Sequence, residues 1–135
     1  MHLICDFRSG NVKLMRDVEG MKEWLSKLAG KIGMTVQGEV VVRPYPFPKS
    51  HDWSALSAVC FLAESSITIH CYPEKHYVYL DVFSCKSFET TEVFEYIGET
   101  FLAKSVETLL LARGLDDQAE NVLPLRILEF VEIDI

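Results

Sequence analysis

The sequence has no C-x-x-C pair among its four cysteines (Cys5, Cys60, Cys71 and Cys85) and no histidine at finger-like spacing from them. A zinc site is therefore not expected. Cys60 and Cys71 lie in apolar or alternating runs, which reads as reduced core thiols and makes the cytoplasm the expected location. Basic clusters are missing too. Thirteen Lys and Arg against twenty Asp and Glu give a net charge of -7, which disfavours nucleic acid, because neutralising phosphates takes clustered cations. The acidic surplus tolerates a cationic amine ligand but mostly concerns solubility. Long hydrophobic runs are also absent. The longest, Ala58 to Ala63, is too short to cross a bilayer. The opening Met1-His2-Leu3-Ile4-Cys5-Asp6 has neither the basic start nor the long apolar core of a signal peptide. No repeat, low-complexity tract or dividing linker occurs, so the 135 residues read as one domain, 1–135. At 49% hydrophobic it has material for a core, and a chain this small gains from a dimer that hides a sheet face.

What is present is a pattern of short strands and two helices. His2 to Phe7 reads as a strand, punctuated by Ser9-Gly10-Asn11. A helix is expected from about Asn11 to Ile32. There Val12, Met15, Val18, Met21, Leu25 and Leu28 recur in steps of three and four, with Trp24 beside them. Gly33 stops it, and Met34 to Val42 reads as a strand. Pro44, Pro46 and Pro48 then rule out a central strand, so residues 43–53 are expected to be an extended loop. Three strand-like runs follow: Leu56 to Ala63, Ser66 to Tyr72 and His76 to Phe83. Pro73-Glu74-Lys75 forms a hairpin turn between the last two. A helix from about Phe88 to Lys104, capped by Ser87, precedes closing strands at Val106 to Ala112 and Ile127 to Ile135. Tyr72, Tyr77 and Tyr79 read as sheet packing. The order implies an α+β fold, an antiparallel sheet with two helices packed on one face.

The informative stretch is Ala63-Glu64-Ser65-Ser66-Ile67-Thr68-Ile69-His70-Cys71-Tyr72-Pro73-Glu74. By itself, a serine and a histidine five residues apart in a strand is ordinary polarity. Ser57 lies eight residues before Ser65, and Cys85 lies twenty after it in Asp81-Val82-Phe83-Ser84-Cys85. Together with the start His2-Leu3-Ile4-Cys5-Asp6-Phe7, these resemble the S-adenosylmethionine decarboxylase proenzymes of the short prokaryotic type, whose core reads close to A/S-E-S-H-I/L-T/S-I-H-T-W/Y-P-E. The likeness spans roughly residues 2 to 104 and is most specific between 57 and 85.

The resemblance implies an α/β sandwich and a chain that cuts itself between Glu64 and Ser65, giving a β chain 1–64 and an α chain 65–135. Ser65 becomes a covalent pyruvoyl group, whose ketone forms a Schiff base with the substrate amine and takes up electrons as carbon dioxide leaves. By position Ser57 and His70 assist the cleavage, Cys85 returns a proton to the decarboxylated carbon, and Glu74 binds ribose hydroxyls. Phe47 and Trp53 are both candidates for stacking on adenine. The family's short members are dimers with residues from both protomers at each site, so a homodimer of cleaved protomers is expected. The product would be the aminopropyl donor of polyamine (spermidine) synthesis.

The sequence departs from the family pattern where Ser66 replaces a histidine, Ala55-Leu56-Ser57-Ala58 replaces a G-V-S-G motif, Cys71 replaces a threonine, and the loop before Ser57 is longer. These changes gather around substrate recognition. Arginine or ornithine is accordingly the rival substrate. A non-processing homologue that regulates an active decarboxylase is the rival from another class. A three-residue turn would pair Tyr72 with His76 and set Ser65 opposite Phe83, with Cys85 its diagonal neighbour. The odd spacing from Ser65 to His70 puts these two on opposite faces of a flat strand, so a bulge or bend is expected at the cleavage point.

Overall fold

The computed structural model describes residues 1–46, 53–63, 65–113 and 126–135. Seven strands, β1 (His2–Arg8), β2 (Val41–Pro46), β3 (Trp53–Leu62), β4 (Ser65–Tyr72), β5 (Tyr77–Phe83), β6 (Ser105–Ala112) and β7 (Arg126–Asp134), form one sheet in the order β2-β3-β4-β5-β1-β6-β7. Every pairing is antiparallel. Two helices, α1 (Val18–Lys31) and α2 (Thr90–Phe101), pack together through Trp24, which stacks on Tyr96 at 5.2 Å and meets Phe101 edge-on at 5.0 Å. The expected α+β architecture is the one observed. No helix among the described residues is long and apolar enough to cross a membrane.

The alternation of the strands explains the layering. On β1, Leu3, Cys5 and Phe7 are buried. The same holds for Leu56, Ala58 and Cys60 on β3, Ile67, Ile69 and Cys71 on β4, and Val78, Leu80 and Val82 on β5. This period of two puts one face of the sheet under the helices. The helices present Met21, Trp24, Leu25 and Leu28 from α1 and Val93, Phe94, Ile97 and Phe101 from α2. Each fully buried large side chain contributes about 1.5–3 kcal/mol. That outweighs the roughly 1 kcal/mol that Gly20 and Gly30 each cost inside α1. Gly20 has a local reason, since a Cβ there would run into the Asp17 carboxylate.

Several boundaries differ from the sequence reading. The first helix starts at Val18, not Asn11. Asp17 is extended (φ -94°, ψ 102°) and its carboxylate accepts the Gly20 N–H, so it caps α1, while Leu14–Arg16 is a separate 3-10 turn. Of the strand expected over Met34 to Val42, only an isolated bridge, Val36 with Leu62, and the start of β2 exist. β2 runs on through Pro44 and Pro46 because it is an edge strand, where a missing N–H faces no partner. The second helix is capped at Glu89, not Ser87, with no side-chain bond, and ends at Leu102 in the left-handed region (φ 53°). The turn after β4 holds four residues, since His76 (φ 59°) joins Pro73–Lys75 in it. The β4–β5 register is consequently one step from the expected one: Tyr72 pairs with Tyr77, and Ser66, not Ser65, opposes Phe83. Residues 114–125, between the two closing strands, lie outside the described residues.

Candidate active site

The face of the sheet away from the helices carries the polar side chains. Across it the register lines up Ser57, His70, Tyr79, Asp6 and Glu107 on β3, β4, β5, β1 and β6. Ser57 and His70 are direct cross-strand partners, and Ser57 Oγ lies 2.8 Å from His70 Nδ1. A serine hydroxyl in contact with an imidazole nitrogen is the arrangement proton transfer needs. Beside them is a chain of tyrosines. Tyr72 meets Tyr79 edge-on at 5.7 Å, Tyr79 meets Tyr77 at 6.5 Å, and Arg8 donates to the Tyr77 hydroxyl over 2.9 Å while lying over its ring. These tyrosines pack against one another across the strands, as expected, and Tyr72 and Tyr79 do so on the open face, where both are exposed.

At the other end of β4, Ser65 is the first residue of the strand and half-buried. Its hydroxyl oxygen accepts the Cys85 N–H at 3.4 Å. Cys85 is exposed just beyond β5. It sits in a short segment fixed by Ser84, which is fully buried and whose hydroxyl accepts the Lys86 N–H. The other thiols differ in kind. Burial pushes Cys5 and Cys71 up to about 12 and raises Cys60 as well. Cys60 and Cys71 are core packing, as expected; Cys5 joins them, and Cys85 is the accessible one.

The candidate residues therefore fall into two contacting pairs, Ser57–His70 and Ser65–Cys85. The two pairs do not meet. β4 pairs with both neighbours without a register shift from Ser66 to Cys71, so the expected bulge or bend is absent there. Five residues at about 3.3 Å each put Ser65 and His70 roughly 16 Å apart along the strand, and on opposite faces. Glu74 is exposed in the turn after β4, at the His70 end. Glu64 and Phe47 lie outside the described residues. Of Trp53 only the backbone is described, opposite Pro46 at the start of β3.

Two clusters were not foreseen from the sequence. Asp6, Asp81 and Glu107 gather on the open face, and desolvation first, then Asp81 and Glu107, holds the Asp6 carboxyl above its ordinary range. His2, Asp81 and Arg113 are linked at the Ser65 end. Their signal in sequence is weak. Asp6 and Asp81 are polar positions in otherwise apolar strands, and only the β1–β5 register brings His2 and Asp81 side by side.

Comparison with known proteins agrees with this architecture. A family model described as S-adenosylmethionine decarboxylase matches residues 1–114. The S-adenosylmethionine decarboxylase proenzyme of Clostridium botulinum (strain Loch Maree / Type A3) is 32% identical over 117 residues, spanning 86% of this chain and 95% of that protein. Those of Thermodesulfovibrio yellowstonii and Anoxybacillus flavithermus are 28% identical over 127 residues and 29% over 114, spanning 93% and 84% of this chain and 89% and 86% of their own lengths. With its sheet, its two helices and its motif in the same chain, this protein belongs to the S-adenosylmethionine decarboxylase family of carboxy-lyases.

Proposed function

We propose that this chain is a single-domain proenzyme that cuts itself between Glu64 and Ser65 and then, as a cytoplasmic homodimer, decarboxylates S-adenosylmethionine to the aminopropyl donor of polyamine (spermidine) synthesis. One observation carries the reading: each half of the site is assembled at contact distance, Ser57 with the His70 ring and the Ser65 hydroxyl with the Cys85 backbone N–H, yet the halves sit at opposite ends of β4. A second copy placed over the open face supplies the half that each site lacks. That face is half-buried or exposed and carries Ile4, Val59, Phe61 and Leu109, apolar surface that a small domain gains by covering.

The cleavage chemistry follows from the two pairs. Ser65 Oγ attacks the Glu64 carbonyl carbon, and the peptide C–N bond is replaced by a C–O ester. Ser57 steadies the charge on the tetrahedral oxygen. His70 takes the α-proton of Ser65, and the Glu64 carboxylate leaves from its β-carbon. Water hydrolyses the remnant, releasing ammonia and leaving a pyruvoyl ketone on the nitrogen of Ser66. The local structure fits that group, because Ser65 is the first residue of its strand. Cutting before it opens the β3–β4 connection, while the seven paired positions of Leu56–Leu62 with Ser65–Cys71 keep both fragments in one sheet. The ketone supplies an electron sink for the departing carbon dioxide. Cys85, the exposed thiol beside Ser65, returns a proton to the product carbon, and Glu74, carried on the partner's turn, binds the ribose hydroxyls. Cys5, Cys60 and Cys71, buried thiols outside any disulfide, suit a reducing compartment.

Incubation with carboxyl-labelled S-adenosylmethionine, arginine and ornithine tests the substrate. Label released from the first supports the reading. Release from an amino acid alone replaces the substrate, and a chain that neither cuts itself nor releases label is a non-processing homologue.

A further inference from the structure

At the Ser65 end of the open face lies a cluster that the cleavage chemistry leaves unused. Arg113, just past β6, reaches across β1, and its NH1 donates to His2 Nδ1 over 3.2 Å. A guanidinium has no lone pair to offer, so Nδ1 is the unprotonated nitrogen and the ring proton sits on Nε2, 3.0 Å from Asp81 Oδ1. The same guanidinium lies over the Phe83 ring at 4.6 Å, and that ring meets His2 edge-on at 6.1 Å. Groups from β1 and β5 thus hold one cation in a fixed orientation. Its surroundings are fitted to arginine, since the flat face rests on an aromatic ring while the N–H edge stays available.

The cluster stands beside the reacting centre. Phe83 is the cross-strand partner of Ser66 and shares its face, where opposed Cβ atoms lie about 5 Å apart. Ser66 carries the nitrogen to which the ketone is attached. Arg113 is exposed and, among the described residues, gives one hydrogen bond, to His2. Three other described cations are engaged elsewhere. Arg8 holds Tyr77 at the far end, Lys86 donates to the Gly33 carbonyl, and Arg43 donates to the Val42 carbonyl of its own strand opposite Ser57.

We infer that Arg113 binds the α-carboxylate of the substrate, with His2, Asp81 and Phe83 positioning it. The inference rests on the decarboxylase reading above and deepens it. Any substrate of that reaction presents an amine to the ketone and a carboxylate on the adjoining carbon, so an oriented guanidinium beside Ser66 meets a group that must be there. The carboxylate loses its charge as carbon dioxide forms. Arg113 therefore contributes to capture and orientation more than to the bond-breaking step, and its loss acts on KM.

The test uses the cleaved enzyme, with S-adenosylmethionine as substrate and its decarboxylated amine as competing ligand. Losing a charge-assisted contact raises KM about 10–100-fold in Arg113→Ala, with kcat within about threefold. The inhibition constant of the amine, which has no carboxylate, stays within about twofold of wild type. Arg113→Lys falls between, and Arg113→Gln, which keeps most of the bulk, behaves like the alanine variant. His2→Phe, which removes the acceptor that orients the guanidinium, shows the same split in smaller degree. KM and the amine constant moving together, KM unmoved in both Arg113→Ala and Arg113→Gln, or the split appearing in Arg43→Ala instead would each overturn the inference. A wild-type chain that stays whole or turns over no S-adenosylmethionine defeats the underlying reading. A cleaved, active wild type whose Arg113 variants show no split defeats the inference alone.

Discussion

Mixing two inactive variants separates a site shared between copies from one built within a chain. Ser65→Ala cannot be cut but keeps Ser57 and His70. His70→Ala keeps Ser65 and Cys85 but lacks the imidazole. Within one chain the two groups are five residues apart on a strand without a register shift between them, roughly 16 Å at about 3.3 Å per residue, whereas proton transfer needs heavy atoms about 3 Å apart. That fivefold excess is too large for side-chain motion to close. Each variant alone should therefore remain whole, with cutting slowed about 10²–10⁴-fold in His70→Ala, the usual worth of a general base. After the two are unfolded together at equal amounts and refolded, random pairing puts about half of the His70→Ala chains opposite a Ser65→Ala partner. About that half should be cut, while the Ser65→Ala chains stay intact. A size tag on one variant lets denaturing electrophoresis read both. His70→Ala cutting at the wild-type rate by itself, or no cutting in a mixture that demonstrably contains mixed dimers, would refute the shared site.

Other expectations follow from packing and charge. Brief alkylation of the native protein should label Cys85 and spare Cys5 and Cys71, whose burial raises them to about 12; peptide mapping reads this, and equal labelling of the three contradicts it. The Asp6 carboxyl is raised in the folded state, mainly by desolvation and then by Asp81 and Glu107. Folding then binds its proton more tightly, so stability is lost as pH rises through that range. Asp6→Asn should raise Tm at neutral pH, with the gain vanishing as pH falls to the ordinary carboxylate range. Phe101 is fully buried and touches both Phe7 and Trp24, so Phe101→Ala should cost about 3–5 kcal/mol in denaturant unfolding; a loss under about 1 kcal/mol would mean the helix layer packs otherwise.

Much of this was legible in the sequence, and the failures have physical causes. The alternation in Ser66 to Tyr72 puts Ile67, Ile69 and Cys71 on one face of a strand, and that face is the buried one. The period-3.6 stripe found both helices, but extending the first back to Asn11 ignored that Asp17 caps better than it continues a helix. Prolines at 44 and 46 argued against a central strand, correctly, yet an edge strand tolerates them. The single-step register error came from His76, a non-glycine residue in the left-handed region that lengthened the turn. For the site, the resemblance to the family, and not the local pattern alone, singled out Ser57, Ser65, His70 and Cys85. Which of them touch depended on strand order and register, long-range facts that no window of sequence contains. Arg113 was invisible for the same reason, because its partners His2, Asp81 and Phe83 are distant in the chain.

The central claim is that the backbone opens before Ser65, and intact-mass spectrometry of the purified protein addresses it most directly. The expected result is two fragments, residues 1–64 with a free carboxyl end and 65–135 with an α-keto group that resists stepwise amino-terminal degradation. A single 15.4 kDa species that persists after prolonged incubation, with serine still at position 65, would contradict it.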